Sequence, residues 1–174
     1  MSIKKNNFIH KTPEGDDRPR RVCQNCDFID YQNPRIVVGA VCVWDDHFLL
    51  CRRAIEPGYG KWTFPAGFME LNESVTQGAA REAYEEAGID IEVHDLIGIY
   101  EAPHVGHVMM MHRATMKSPD FKAGSESLEV RLFKWDEIPW DDLAFPSITW
   151  TLERYHAVKD QAAVPVKTAI ATKR

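Results

Sequence analysis

Apolar and polar residues change rhythm several times along the chain, and each change marks an element. From Ile36, "IVVGAVCVW" is β-branched and apolar; "HFLLCRR" follows the polar pair Asp45-Asp46, which predicts a β-hairpin. "EPGYGKW" is a glycine- and proline-rich loop, and "TFPAGFME" a short strand broken by Pro65 and Gly67. A helical pattern then runs over about residues 74–87. Ser74 and Gln77 can form a capping box, and Gly88 stands where a left-handed C-terminal cap belongs. "IDIEVHDLIGIYEA", "HVMMMHRATMK" and "EVRLFKW" predict three further strands. "IPWDDLAFPS" is a loop with room for a helical turn. "SITWTLERYHAVKD" predicts a second helix, capped by Ser147, with Ile148, Leu152 and Tyr155 at helical spacing. The final "AAVPVKTAIATKR" has no clear pattern and predicts a mobile tail. The expected organisation is a polar extension over 1–35, an α/β domain with a mixed sheet and two helices over 36–160, and a tail over 161–174.

Length and composition narrow the function classes. The 174 residues, 44% hydrophobic, suffice for one packed domain with a modest extension. A net charge of -5 and a pI near 5.8 argue against nucleic acid or an anionic membrane as partner. No apolar run approaches the roughly 20 residues that span a bilayer. "MSIKKNNFIH" lacks the apolar core of a secretion signal, so a soluble cytoplasmic protein is expected. Cys42 and Cys51 lie in apolar runs and read as buried free thiols. Cys23 and Cys26 form a CxxC pair within the polar extension.

"REAYEEAG" places Glu82, Glu85 and Glu86 within five residues. On a helix they fall in one arc about 100° wide, where like charges repel. Ala79, Ala80, Ala83, Tyr84 and Ala87 fall on the other side. The expectation is an alanine-rich face against the sheet, with unpaired carboxylates turned outward. Alone, that describes a solvated acidic face.

The flanking residues change the reading. In "GFMELNESVTQGAAREAYEEAGI", five residues separate Gly67 from Glu73 and seven separate Glu73 from Arg81. Glu82, apolar Ala83, Glu85-Glu86, Gly88 and Ile89 complete the pattern. The stretch resembles the signature of the Nudix hydrolases, the Nudix box, at every defined position. The resemblance implies the Nudix fold, a mixed β-sheet sandwiched between helices. It implies hydrolysis of a nucleoside diphosphate linked to another group X. Glu82, Glu85, Glu86 and the Ala66 backbone carbonyl would hold Mg2+ or Mn2+, with Arg81 and Glu73 orienting those ligands. Hard carboxylate oxygens suit such a cation, which is often shared with substrate phosphates. Many members add a base or further metal ligand from a loop beyond the box; Glu126 and Glu129 are the candidates, with Glu126 favoured because it lies in a Gly/Ser loop.

Outside the box, "YQNPRIVVGAV", "LLCRRAIEPGYGKWTFPAGF" and "ESLEVRLF…EIPW…LAF" resemble a branch with bacterial ADP-ribose pyrophosphatases and a plant chloroplast FAD/ADP-ribose pyrophosphatase. ADP-ribose or FAD is the implied substrate. NADH ranks lower, because "YEAPHVGHVMM" lacks the aromatic-proline motif of that branch. Cleansing of damaged nucleoside triphosphates and ligand sensing without catalysis are the alternatives. Arg52 or Arg53 could hold a phosphate, and alternation along a strand lets only one face the cleft. Tyr59, Trp62 and Phe64 could stack on an aromatic ring, with core packing the stronger reading for Phe64. His104 and His107 border the expected cleft. A homodimer is a further family expectation.

The same branch carries a zinc ribbon with two CxxC knuckles. Here only Cys23 and Cys26 are present, and "MSIK" stands where the first knuckle would be. Structural zinc takes four ligands, and His10 adds one at best. The extension therefore reads as a degenerate ribbon without zinc, with zinc held by Cys23 and Cys26 and shared between two chains as the alternative.

Overall fold

The computed structural model describes residues 7–162 and 164–170. It divides into two compact units, residues 1–33 and 34–174. In the first, β1 (Phe8–Lys11), β2 (Arg20–Cys23) and β3 (Ile29–Asp30) form an antiparallel sheet in that order. Val22 is buried, and Arg20 stacks over the Tyr31 ring. The absent first knuckle, expected around residues 1–4, lies outside the described residues.

In the second unit, β4 (Arg35–Trp44) and β5 (His47–Arg53) form the expected hairpin. Asp45 takes the left-handed φ of 53° at its turn. β6 (Trp62–Thr63) and β7 (Ala66–Phe68) are the two halves of the interrupted strand. Next come α1 (Val75–Ala87), β8 (Ile91–Ala102), β9 (His107–Met116), β10 (Ser127–Phe133), α2 (Pro146–Val158) and β11 (Lys167–Ile170). A 3-10 turn, Trp140–Asp142, stands where a helical turn was expected, and a second, Trp135–Glu137, precedes it where the last strand was expected to end. The main sheet runs β10-β5-β4-β9-β8-β11, with β6 on β5 and β7 on β4. β4 with β9 and β8 with β11 are parallel; the other pairs are antiparallel.

Strand alternation sends successive side chains to opposite faces and so builds two cores. Ala40, Cys42, Leu49 and Cys51 pack with Ala79, Ala83 and Ala87 of α1. Val41, Val43, Phe48 and Leu50 pack with Ile148, Leu152 and Val158 of α2. The sheet thus lies between the two helices.

Two sequence expectations change. Ser147 does not cap α2: Phe145 is the extended N-cap residue, and Pro146 is the first helical residue. Proline suits that place because its missing N–H would be unpaired there anyway. Ser147 is buried inside the helix, where its carbonyl accepts Thr151 Oγ1 at 2.7 Å. The stretch expected to be a patternless tail contains β11, which lies against β8. Arg154 of α2 ties both segments, donating to Ile97 O at 3.2 Å and to Pro165 O at 2.5 Å. Among the described residues no helix is long and apolar enough to cross a membrane.

Candidate active site

The phase of α1 is fixed at both ends. Ser74 Oγ accepts the Gln77 N–H at 3.2 Å, and Gln77 Oε1 accepts the Ser74 N–H at 2.8 Å. Gly88 closes the helix with φ 64°, its N–H donating to Tyr84 O at 2.8 Å. In that phase Glu82 and Glu86 are buried, only 8% and 7% exposed, and Glu85 faces solvent. The expectation of three outward carboxylates holds for Glu85 alone. Tyr84, expected on the buried side, is 64% exposed. Small residues cause the difference. Gly78 and the alanines let the helix approach the sheet so closely that the buried arc extends to both flanking glutamates. β7 closes over them. A Cβ at Gly67 would collide with the Glu82 carboxylate, and the Ala66 N–H donates to Glu86 Oε2 at 3.3 Å.

The carboxylates are not left unpaired, as the sequence suggested. Arg81 donates to Glu73 through Nε at 3.0 Å and Nη2 at 2.8 Å. Its Nη1 donates to Glu82 Oε1 at 2.7 Å and Glu85 Oε2 at 3.0 Å, and Nη2 also reaches Phe68 O at 3.1 Å. One guanidinium therefore links three carboxylates and the strand that covers them. Arg81 and the Glu70 N–H hold the Glu73 carboxyl down at about 2. Among the described residues, no arginine donates a hydrogen bond to Glu86. Burial, then the Glu82 charge, push its carboxyl up to about 8. Burial also raises Glu82, against the pull of Arg81.

These donors suit a hard divalent cation: carboxylate oxygens, one of them buried with only a long backbone hydrogen bond. Among the described residues, no three His, Cys, Asp or Glu side chains are yet gathered around a common point. Arg81 accounts for part of this, since it holds both Glu82 and Glu85.

The segment carrying Glu126 is anchored rather than loose. Lys122 N–H donates to Ala87 O at 2.8 Å, Gly124 N–H to Glu86 O at 3.0 Å, and Ala54 N–H to Glu126 O at 2.8 Å. Gly124 presses against the helix backbone, and a Cβ there would strike Glu85 O. The exposed Glu126 carboxylate is near enough to add to the upward push on Glu82 and Glu86. Glu129 lies on β10 opposite Arg52, 4.0 Å from Arg52 Nη1 and 3.8 Å from Arg131 Nε. The structure groups Glu126, not Glu129, with the buried pair.

Arg53 is near enough to Glu86 to oppose its upward shift. It donates to Pro57 O at 2.8 Å, and its guanidinium lies 5.4 Å over the Phe145 ring. Arg52 is turned to Gly60 O at 2.8 Å and to Glu129. Of the stacking candidates, only Tyr59 is open, at 58% exposure. Trp62 packs edge-on against Phe133 at 5.0 Å and Phe64 is fully buried, so neither has a face free for a ligand. The burial of Phe64 agrees with core packing as its stronger reading, whereas Trp62, a stacking candidate beside the Gly/Pro loop, is turned into the core by β6. His104 is exposed, and His107 meets Phe68 edge-on at 5.2 Å. Sequence reasoning missed Phe145 as the platform for Arg53; an aromatic just before a helix-opening proline was the available signal.

Comparison with known proteins adds the family. The NUDIX domain model matches residues 33–152, and the Nudix N-terminal model, a zinc ribbon, matches residues 6–32. The crystal structure of a NUDIX hydrolase from Nitrosomonas europaea is 46% identical, with a TM-score of 0.87 over 98% of each chain. A MutT-like protein of Streptomyces ambofaciens is 36% identical over 102 residues, 59% of this chain and 64% of that one. An ADP-ribose pyrophosphatase of Methanocaldococcus jannaschii is 30% identical over 113 residues, 63% of this chain and 67% of that one. The chain thus spans about two-thirds of the length of these curated relatives. The domain match runs through every element that touches the carboxylates, and the chain belongs to the Nudix hydrolase family.

Proposed function

We propose that the chain is a pyrophosphohydrolase using Mg2+ or Mn2+ to cleave the diphosphate of ADP-ribose or FAD, giving AMP plus ribose 5-phosphate or FMN. The buried Glu82–Glu86 pair, closed over by Gly67 and Ala66, carries this reading. Burying two acids side by side costs stability unless a cation compensates them. Glu82, Glu85, Glu86 and the Ala66 carbonyl would hold that cation, with Glu126 as a further carboxylate. When bound, it supplies positive charge against the diphosphate and makes a water more acidic.

The protein's own groups divide the remaining work. Arg81, clamped by Glu73, keeps Glu82 and Glu85 oriented. Glu126 accepts a proton from the attacking water at a carboxylate oxygen. Water oxygen bonds to one phosphorus as the bridging P–O bond breaks, and the released phosphate carries the charge away. Arg53, braced by Pro57 O and Phe145, holds a phosphate. Tyr59 is the exposed ring available for stacking.

The choice of ADP-ribose or FAD rests on the stretches outside the box and on the Methanocaldococcus relative. A Mg2+-dependent activity screen over ADP-ribose, FAD, NADH and nucleoside triphosphates tests it. Turnover of either favoured substrate, abolished by chelator, is expected. Preference for triphosphates would move the chain to the cleansing class, and no turnover of any would favour a sensor.

A further inference from the structure

The Cys23-Gln24-Asn25-Cys26 stretch takes no part in the reaction proposed above and has a defined geometry of its own. Cys23 ends β2, paired across the sheet with Phe8. Its N–H donates to Phe28 O at 2.8 Å, and its carbonyl accepts the Asp27 N–H at 2.9 Å. These bonds close one tight turn, with Asp27 left-handed at φ 53°. The turn is fastened to the start of β1. Gln24 N–H donates to Asn7 O at 2.8 Å, Asn7 Nδ2 to Asn25 Oδ1 at 3.0 Å, and Lys11 pairs with Asp27 at 3.0 Å. The Cys26 side chain lies within hydrogen-bonding reach of the Cys23 sulfur, the proximity that a disulfide between them needs. Cys23 is partly buried and Cys26 exposed, whereas Cys42 and Cys51 are buried in β4 and β5.

Among the described residues, no second CxxC pair accompanies the knuckle, and the other two cysteines, Cys42 and Cys51, are buried in β4 and β5. Zinc takes four donors, and among the described residues no three His, Cys, Asp or Glu are gathered for a metal. Residues 1–6 read Met-Ser-Ile-Lys-Lys-Asn and contain neither Cys nor His. Both cysteines of the pair are free thiols. The N–H groups of Asn25 and Cys26, then the Cys26 thiol, draw the Cys23 thiol below its ordinary range, against Asp27.

We propose that Cys23 and Cys26 form a reversible disulfide on reaction with a hydroperoxide. The Cys23 thiolate attacks the peroxide oxygen. An S–O bond forms, the O–O bond breaks, and the departing oxygen takes a proton to leave as water or alcohol. The Cys26 sulfur then attacks the sulfenic sulfur, the S–S bond forms, and the sulfenic oxygen leaves as water with the second thiol proton. Two thiols are oxidised, one peroxide is reduced, and a dithiol reductant reverses the change.

The test uses the full chain, treated with hydrogen peroxide, alkylated and digested with trypsin, which releases both cysteines on peptide 22–35. That peptide should resist alkylation at both sites and be two hydrogens lighter than its reduced form. Dithiothreitol should restore both thiols, and Cys26→Ser should trap Cys23 as a sulfenic adduct. A peptide still doubly alkylatable after peroxide overturns the proposal, as does sulfinic acid without an internal bond. So does zinc retained at one ion per chain, or one per two chains, that shields both thiols until a chelator is added.

Discussion

Glu86 is the residue whose protonation is most strongly set by its surroundings. Its carboxyl, pushed up to about 8 from an ordinary 4.5, stays protonated in the folded chain after the unfolded chain has ionised. Its contribution to stability is therefore fully present below pH 4.5 and lost as pH rises through 8. Glu82 shifts in the same direction. Glu73, held at about 2, is ionised in both states above pH 5.5 and adds no slope there. Chelator-treated protein should thus melt at a lower temperature at pH 8 than at pH 5.5. Glu86→Gln should flatten that slope, and added Mg2+ should raise the melting temperature more at pH 8. A second test concerns Glu126: Glu126→Gln should lower kcat by about 10²–10⁴-fold with far less effect on KM. Near-normal turnover would remove Glu126 from the mechanism. Residue identities were legible because the box fixes their spacing. Burial was legible for Phe64, whose stronger reading was core packing, but not for Trp62, because strand pairing, invisible in the local pattern, decides which way that ring turns.

At the scale of elements, the site depends on how closely α1 lies against β4 and β7. A Cβ at Gly78 would come within 2.7 Å of both Val38 Cγ2 and Glu73 Oε1. Gly67 is tighter still, since its Cβ would occupy the Glu82 carboxylate. Gly67→Ala should therefore cut kcat and weaken cation binding while circular dichroism stays native; unchanged kinetics would show that β7 does not brace Glu82. Ser74→Ala removes one capping bond and should cost about 1 kcal/mol in chemical denaturation without altering the site. Both ends of α1 were readable because caps are local chemistry. The start of α2 was read two residues late in its cap, because Ser147 looked suitable and Pro146 carried the stronger signal. The anchoring of the 122–126 segment was not readable, because it consists of backbone bonds to Ala54, Glu86 and Ala87, far upstream in the chain.

For the whole molecule, the sheet with a helix on each face separates two tasks. The α1 face is rich in alanines and thiols, small enough beside the helix to admit buried carboxylates, while the α2 face carries the aromatic residues of the core. Leu152, fully buried on the α2 face, should behave as pure core. Leu152→Ala is expected to lose about 2–5 kcal/mol of stability while kcat of the folded fraction stays near normal. A selective loss of kcat at full stability would mean that the two faces are coupled. Fold class and element order could be read because β-branched runs and helical spacing are strong signals. The pairing of β11 with β8 could not, since a short strand laid on a sheet edge has little pattern of its own.

The central claim is that the buried Glu82–Glu86 pair binds a divalent cation. Calorimetric titration of Mn2+ into wild-type and Glu86→Gln protein at pH 8 tests it most directly. The account predicts saturable binding to wild type, weakened by at least about tenfold in a natively folded variant. Equal binding by both proteins would contradict it.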